Sequence, residues 1–315
     1  MSDRKGIMKA VIPAAGFGIR MLPATKAVPK EMLPVAGKPL IQYAVEEAAA
    51  SGIETVIVVI RGDKSLIQDH FSPDNALESF LRQRGLSKSY DSFRAVLAPV
   101  NLQYVHQNSP LGLADAVSCA RPLLGEDAFV VLLPDVIMVS REPVVRQLIR
   151  AHEETGGSVI AVREVQPRDV GRFGIVQADR SAVGQSKRAL RVRGLVEKPT
   201  SDRAPSRLGV FGRYLLEPSI WNAIAQTRPD ASGEVQLTDA LNFLCHDQPL
   251  FGVRFEGRHH DAGDRLGYLK ANLEIALQDP YLREGLLQCV SDLRTQTEVS
   301  TGPSSSSFPD STPSR

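Results

Sequence analysis

At 315 residues, with 43% apolar and 23% charged residues and a net charge of +1, the chain is long enough for one large α/β domain or two modest ones. The near-neutral balance argues against a general nucleic-acid surface. No apolar run approaches the roughly 20 residues of a membrane span, and MSDRKGIMKA lacks the apolar stretch of a signal peptide, so the cytoplasm is the expected compartment.

In chain order, Met8 to Ala14 predicts a short buried strand. It runs into Lys9–Lys38, KAVIPAAGFGIRMLPATKAVPKEMLPVAGK, a loop with glycines 16 and 18, Arg20 and lysines 26, 30 and 38. Prolines 23, 29 and 34 keep much of it out of regular helix. Backbone amides exposed by glycine beside fixed cations suit a polyphosphate. The third glycine of a dinucleotide fingerprint would fall at Met21, and no GK[ST] follows, so neither common nucleotide loop fits.

Pro39 to Ala50 predicts a helix closed by Gly52, and TVIVVI (Thr55 to Ile60) a strand covered on both faces. Arg82, Gln83 and Arg84 read as an exposed helix face. Asn101 to Val105 (strand), Leu113 to Ala120 (helix), Phe129 to Leu133 (strand), Pro143 to Glu154 (helix) and Ser158 to Val162 (strand) continue the alternation. This order implies a three-layer, Rossmann-like α/β fold with a mixed, mainly parallel sheet. Phe173 to Gln177, Leu190 to Glu197 and Leu208 to Tyr214 are strand-like with little helix between, which suggests a small antiparallel extension. Helices return at Pro218 to Gln226, Val235 to Cys245, Leu266 to Ala276 and Tyr281 to Leu293. The Ser/Thr/Pro-rich segment 295–315 is expected to be a disordered tail, leaving 8–294 as the folded domain. Cys119, Cys245 and Cys289 are odd in number and far apart, so neither a disulfide framework nor a zinc site is expected.

Ligands of open α/β sheets bind outside the carboxyl ends of strands. The residues after each strand are the loop Ala14 to Arg20, then Asp135, then Glu197 and Lys198, then His259, His260 and Asp261. Two separated aspartates suit one Mg²⁺, which needs one or two protein carboxylates. With a basic loop, they point to phosphoryl or nucleotidyl transfer. Single strand-end carboxylates also serve as caps and turns. Adjacent histidines on a strand face opposite sides, which disfavours a metal pair. Tyr104 and Trp221 read as packing residues.

The segment AVIPAAGFGIRMLPATKAVPKEMLPVAGKPLIQYAVEEA resembles the N-terminal signature of bacterial UTP–glucose-1-phosphate uridylyltransferases. SPLGLADAVSCARP, VVLLPDV, FGIV, GLVEKP, FGRYLLEPSIW, GEVQLTDAL and HDAGDRLGYLKANLE follow in order, so the resemblance covers about residues 8–278. It implies synthesis of UDP-glucose and pyrophosphate from UTP and α-D-glucose 1-phosphate, with Mg²⁺ and without a covalent intermediate. By the same resemblance, Ala15, Gly16 and Gly18 would meet the nucleotide, and Arg20 the leaving phosphates. Lys30 would sit on the phosphate undergoing substitution. Glu31, Gln107 and Gly112 would face the base, and their hydrogen bonds would separate uracil from cytosine or a purine. Gly174, Glu197 and Lys198 would hold the sugar phosphate, and Asp135 and Asp261 the metal. A homodimer or homotetramer is also implied. The chain departs from the family at Ile19, where Thr is common, at Ala114 and Asp115, which replace Gly and His, and at Arg207, where Asn is usual. These departures motivate two alternatives: a weakly active or non-catalytic regulatory paralogue, and a thymidylyltransferase using dTTP.

Overall fold

The computed structural model describes residues 7–62, 65–184 and 188–300. The first half contains β1 (Lys9–Pro13), β2 (Pro34–Val35), β3 (Lys38–Pro39), α1 (Leu40–Ala50), β4 (Thr55–Ile60), α2 (Ser65–Phe71), α3 (Asn75–Gln83), α4 (Lys88–Leu97), β5 (Asn101–His106), α5 (Leu113–Cys119), α6 (Arg121–Leu124), β6 (Phe129–Leu132), β7 (Val136–Val139) and α7 (Val144–Thr155). The second half contains β8 (Ser158–Glu164), β9 (Gly174–Val183), β10 (Ala189–Glu197), β11 (Leu208–Leu216), α8 (Ile220–Gln226), α9 (Leu237–Asp247), β12 (Leu250–Arg254), β13 (Arg258–Asp261), α10 (Arg265–Ala276) and α11 (Pro280–Ser300).

Nine strands form one sheet in the order β5-β4-β1-β6-β11-β8-β12-β10-β9. β1 is parallel to β4 and β6, β4 to β5, and β12 to β8. The period-2 alternation of each strand divides its side chains between two cores. Val11, Ile57, Val59 and Val131 pack with α5, α8 and α9, whereas Ile12, Val56, Val58 and Val130 pack with α1 and α7. Trp221 stacks on Phe129 with ring centroids 5.0 Å apart, and half-buried Tyr104 packs against the other core, so both serve as packing residues.

The antiparallel extension predicted for residues 170–215 is realised in part. β9 and β10 pair antiparallel at the sheet edge. β11 instead runs inside the sheet, antiparallel to both β6 and β8. Its sequence is buried at every position, as a strand covered on both faces must be. β9 also pairs with the start of β11, Ile175 opposite Gly209. Glu197 pairs with Gly174, so this double engagement carries Glu197 back toward the centre of the sheet.

Helices α2, α3 and α4 occupy a stretch whose local patterning predicts only an exposed helix face around Arg82. α3 and α4 each bury little, so a search for buried periodicity passes over them. Helix α11 continues to Ser300, so residues 295–300 of the expected tail are helical. Once a helix is nucleated, each added residue gains a hydrogen bond, and polar Thr, Gln and Glu do not stop it. The rest of the expected tail, 301–315, lies outside the described residues. Among the described residues no helix is long and apolar enough to cross a membrane.

Candidate active site

A cavity of about 720 Å³ opens where the ends of β1, β6 and β10 meet the start of β9 and the N-terminus of α9. All thirteen candidate residues line it: Ala15, Gly16, Gly18, Arg20, Lys30, Glu31, Gln107, Gly112, Asp135, Gly174, Glu197, Lys198 and Asp261.

The loop after β1 makes three short 3₁₀ turns, Ile19–Met21, Ala24–Lys26 and Lys30–Met32, which reconcile its prolines with a compact path. Gly18 has φ +67°, and a β-carbon there would press on Thr25 and Lys30 at 3.0 to 3.2 Å. Thr25 Oγ1 donates to the Gly18 carbonyl at 2.8 Å, which holds the turn closed. Gly16 has more room: its nearest neighbour would be Lys30 Cε at 3.9 Å. Ile19 lines the cavity and is 70% exposed.

Lys30 Nζ donates to Asp135 Oδ2 at 2.7 Å. Burial acts to lower the Lys30 pKa, but the charges of Asp135 and Glu31 overcome it and lift the group above the ordinary lysine value. Burial acts to raise Asp135, but Lys30 and then Arg20 hold the carboxyl below the usual range. The pair is therefore fully ionised. Arg20, Asp135 and Asp261 converge around Gly263. A β-carbon there would lie 3.0 Å from Arg20 Nη2, 3.0 Å from Asp261 Oδ1 and 3.3 Å from Asp135 Oδ2. The Gly263 amide donates to Asp261 Oδ1 at 2.9 Å, and the Ala262 amide to the Asp135 carbonyl at 2.8 Å. The two carboxylates thus sit on adjoining segments, where β13 pairs with β7. Among the described residues no group of three His, Cys, Asp or Glu converges. Two hard oxygen donors without soft ligands fit a small divalent cation that keeps water and takes phosphate oxygens.

At the opposite wall, Glu197 accepts from Thr238 Oγ1 at 2.6 Å and pairs with Lys198 at 2.9 Å. Lys198 has φ +41°, a conformation few non-glycine residues adopt, and it turns the chain sharply as β10 ends. A β-carbon on Gly174 would meet Thr238 Oγ1 at 2.9 Å and Glu197 Oε2 at 3.2 Å, so glycine is needed for this approach. At the third wall Gln107 is buried, and Gly112 has φ +100° with the backbone of Val235 only 2.7 Å from where a β-carbon would stand.

The match to the nucleotidyl transferase family spans residues 9–278. The chain belongs to the nucleotidyl transferase family. This nucleotidyl transferase is 43% identical over 290 residues to the UTP–glucose-1-phosphate uridylyltransferase YngB of Bacillus subtilis, covering 92% of this chain and 96% of that one. A second Bacillus subtilis protein, a UTP–glucose-1-phosphate uridylyltransferase, is 40% identical over 295 residues, covering 94% of this chain and all of that one. The UTP-bound UDP-glucose pyrophosphorylase of Acinetobacter baumannii superposes with a TM-score of 0.80 at 36% identity, covering 91% of this chain and 99% of that one.

Two residues of the site, and one buried behind it, escape sequence reasoning. Arg172 lines the cavity and bonds Asp261 at 3.0 Å and Asp264 at 2.8 Å, yet it precedes a strand rather than following one. Thr238 stands at the start of α9, where a hydroxyl reads as a cap. Arg213 lies in the middle of an apolar strand and gives no local sign of a role. His259 and His260 take separate surroundings. His259 packs on Phe211, ring centroids 4.2 Å apart, and His260 Nδ1 lies 3.2 Å from Glu274 on α10.

Proposed function

We propose that the protein joins UTP and α-D-glucose 1-phosphate to give UDP-glucose and pyrophosphate. The observation that carries this reading is the gathering of all thirteen candidate residues around one cavity, the Lys30–Asp135 pair among them. An oxygen of the sugar phosphate attacks the α-phosphorus of UTP in line. The bond from that phosphorus to the bridging oxygen breaks, and pyrophosphate leaves on the opposite side. Catalysis of this kind is mostly positioning and charge neutralisation.

Lys30 neutralises charge on the phosphate undergoing substitution. Arg20 grips the leaving phosphates with its fork of donors. Ala15, Gly16 and Gly18 offer backbone N–H groups to the nucleotide, and Glu31, Gln107 and Gly112 meet the base. Glu197 accepts hydrogen bonds from sugar hydroxyls, Lys198 holds the sugar phosphate, and the ring packs on Gly174. Asp135 and Asp261 would hold Mg²⁺, which when bound supplies neutralising charge to the phosphate oxygens.

We take residues 8–294 as one catalytic domain, working in the cytoplasm, where cysteines 119, 245 and 289 stay as free thiols. Leu266, Leu269 and Leu273 form an exposed apolar stripe on α10 that supports a homo-oligomer. The deciding experiment is pyrophosphate release by purified protein supplied with UTP, glucose 1-phosphate and Mg²⁺. Turnover no higher than the buffer blank overturns the reading.

A further inference from the structure

Gln107 follows β5, held by its backbone amide to the Ile60 carbonyl at 2.9 Å. Its side chain lines the cavity and is 4% exposed. The amide nitrogen carries two hydrogens, and both are committed. One is given to the Gly112 carbonyl at 3.2 Å, the other to Asp115 Oδ2 at 2.7 Å. A carbonyl and a carboxylate accept only. The reversed amide would turn its oxygen on both, placing acceptor against acceptor. The amide orientation is therefore set by chemistry, and Oε1 is its remaining hydrogen-bonding atom.

Asp115 sits on the first turn of α5. The α5 segment is anchored in turn, because the Ala114 amide donates to the Val235 carbonyl at 3.0 Å. Asp115 does not line the cavity.

We propose that Asp115 is a positioning residue that locks Gln107 as a pure acceptor toward the nucleobase, and so selects bases that present an N3–H. This rests on the nucleotide reading above. Uracil and thymine carry a donor at N3. Cytosine carries a lone pair there, which would face the Gln107 oxygen unpaired. An unpaired buried acceptor is more costly than a missing contact, so the lock acts chiefly by rejection.

The test compares wild type with Asp115→Asn and Asp115→Ala, with Asp115→Glu as the conservative control. Both kcat/KM and equilibrium-dialysis affinity are measured for UTP, CTP and dTTP. In Asp115→Asn the Gly112 carbonyl alone opposes reversal of the Gln107 amide, so the preference for UTP over CTP falls about tenfold, while the preference between UTP and dTTP is unchanged. Asp115→Glu retains most of the UTP-over-CTP preference. A merely structural role would lower all three nucleotides together, and a thermal melt on each variant reads any loss of fold. A UTP-to-CTP ratio that stays within twofold of wild type in both Asn and Ala variants overturns the proposal. So does a wild type that binds CTP as tightly as UTP. A wild type that discriminates in dialysis but does not turn over sinks the catalytic reading alone, and the binding ratios of the variants then decide the role of Asp115.

Discussion

Arg213 and Glu47 form an ion pair at 2.8 Å in which the arginine side chain is wholly buried. Arg213 also donates to the carbonyls of Leu133 and Gly212 at 3.0 Å and of Val136 at 2.8 Å. It thereby grips both sides of the turn that presents Asp135. Glu47 in addition accepts from the Val145 amide at the start of α7 at 3.1 Å. Truncating one partner of a buried pair leaves the other charge without compensation. Arg213→Met should cost about 3–5 kcal/mol of stability in urea denaturation. At temperatures where the variant is still folded, turnover should fall as well, because the Asp135 turn loses two of its anchors. Wild-type stability with reduced turnover would show that the arginine positions without stabilising.

Lys30→Ala removes the cation from Asp135 and, on the proposed reading, from the reacting phosphate. Turnover should fall on the order of 10²–10³-fold, as for loss of a group aimed at developing charge. UTP affinity should fall less, since the other groups of the loop remain. Steady-state pyrophosphate release and UTP dialysis measure the two quantities separately. Unchanged turnover would remove Lys30 from the mechanism.

Ile19 is exposed at the cavity, so Ile19→Thr should leave stability within about 0.5 kcal/mol. On the proposed reading the added hydroxyl would stand beside the triphosphate and should raise turnover by roughly tenfold, the worth of one hydrogen bond to a charged group. A rise from near zero to vigorous turnover would instead mark the natural chain as a degenerate, regulatory form.

Gly174→Ala should disturb the sugar side alone. Its methyl would displace Thr238 or Glu197, which hydrogen-bond at 2.6 Å. KM for glucose 1-phosphate should rise by roughly tenfold with KM for UTP little changed. Equal effects on both substrates would argue that Gly174 is structural only.

His70 provides a pH test away from the site. Its Nε2 lies 3.0 Å from Gln42 Oε1, while Gln42 Nε2 donates to Glu46 at 2.7 Å. Burial pushes the His70 pKa below its ordinary 6.5, with Glu46 opposing in part. As pH falls below 6.5, the unfolded chain takes up a proton before the native state does. The stabilisation is thus complete above 6.5 and is lost as pH falls toward the depressed native value. His70→Gln should flatten this part of the stability–pH curve, read as urea midpoints on either side of 6.5.

Much of this protein is legible in its residues because the relevant signals are local. TVIVVI and FVVLL are apolar and β-branched, so they become strands buried on both faces wherever they lie. The glycines, prolines and cations of Lys9–Lys38 carry their chemistry within thirty residues. Strand-end placement was enough to single out Asp135, Glu197, Lys198 and Asp261. Glu197 nevertheless reaches the cavity for a reason outside that rule, since β10 belongs to an edge hairpin folded back through the pairing of β9 with β11.

The tertiary structure alone decided the relations between distant segments. Arg213 and Glu47 are 166 residues apart, and nothing in an apolar strand announces that its one cation will anchor a turn contributed by another strand. Lys30 meets Asp135 across 105 residues, which turns two ordinary charges into one ionised pair. Asp115 is near Gln107 in sequence, but a helix and a strand end must be docked before its carboxylate can fix which face of an amide looks outward. Periodicity and residue chemistry act over a few positions and so were written in the sequence. Pairing, desolvation and orientation depend on which elements the sheet brings together, and only the folded chain supplies that.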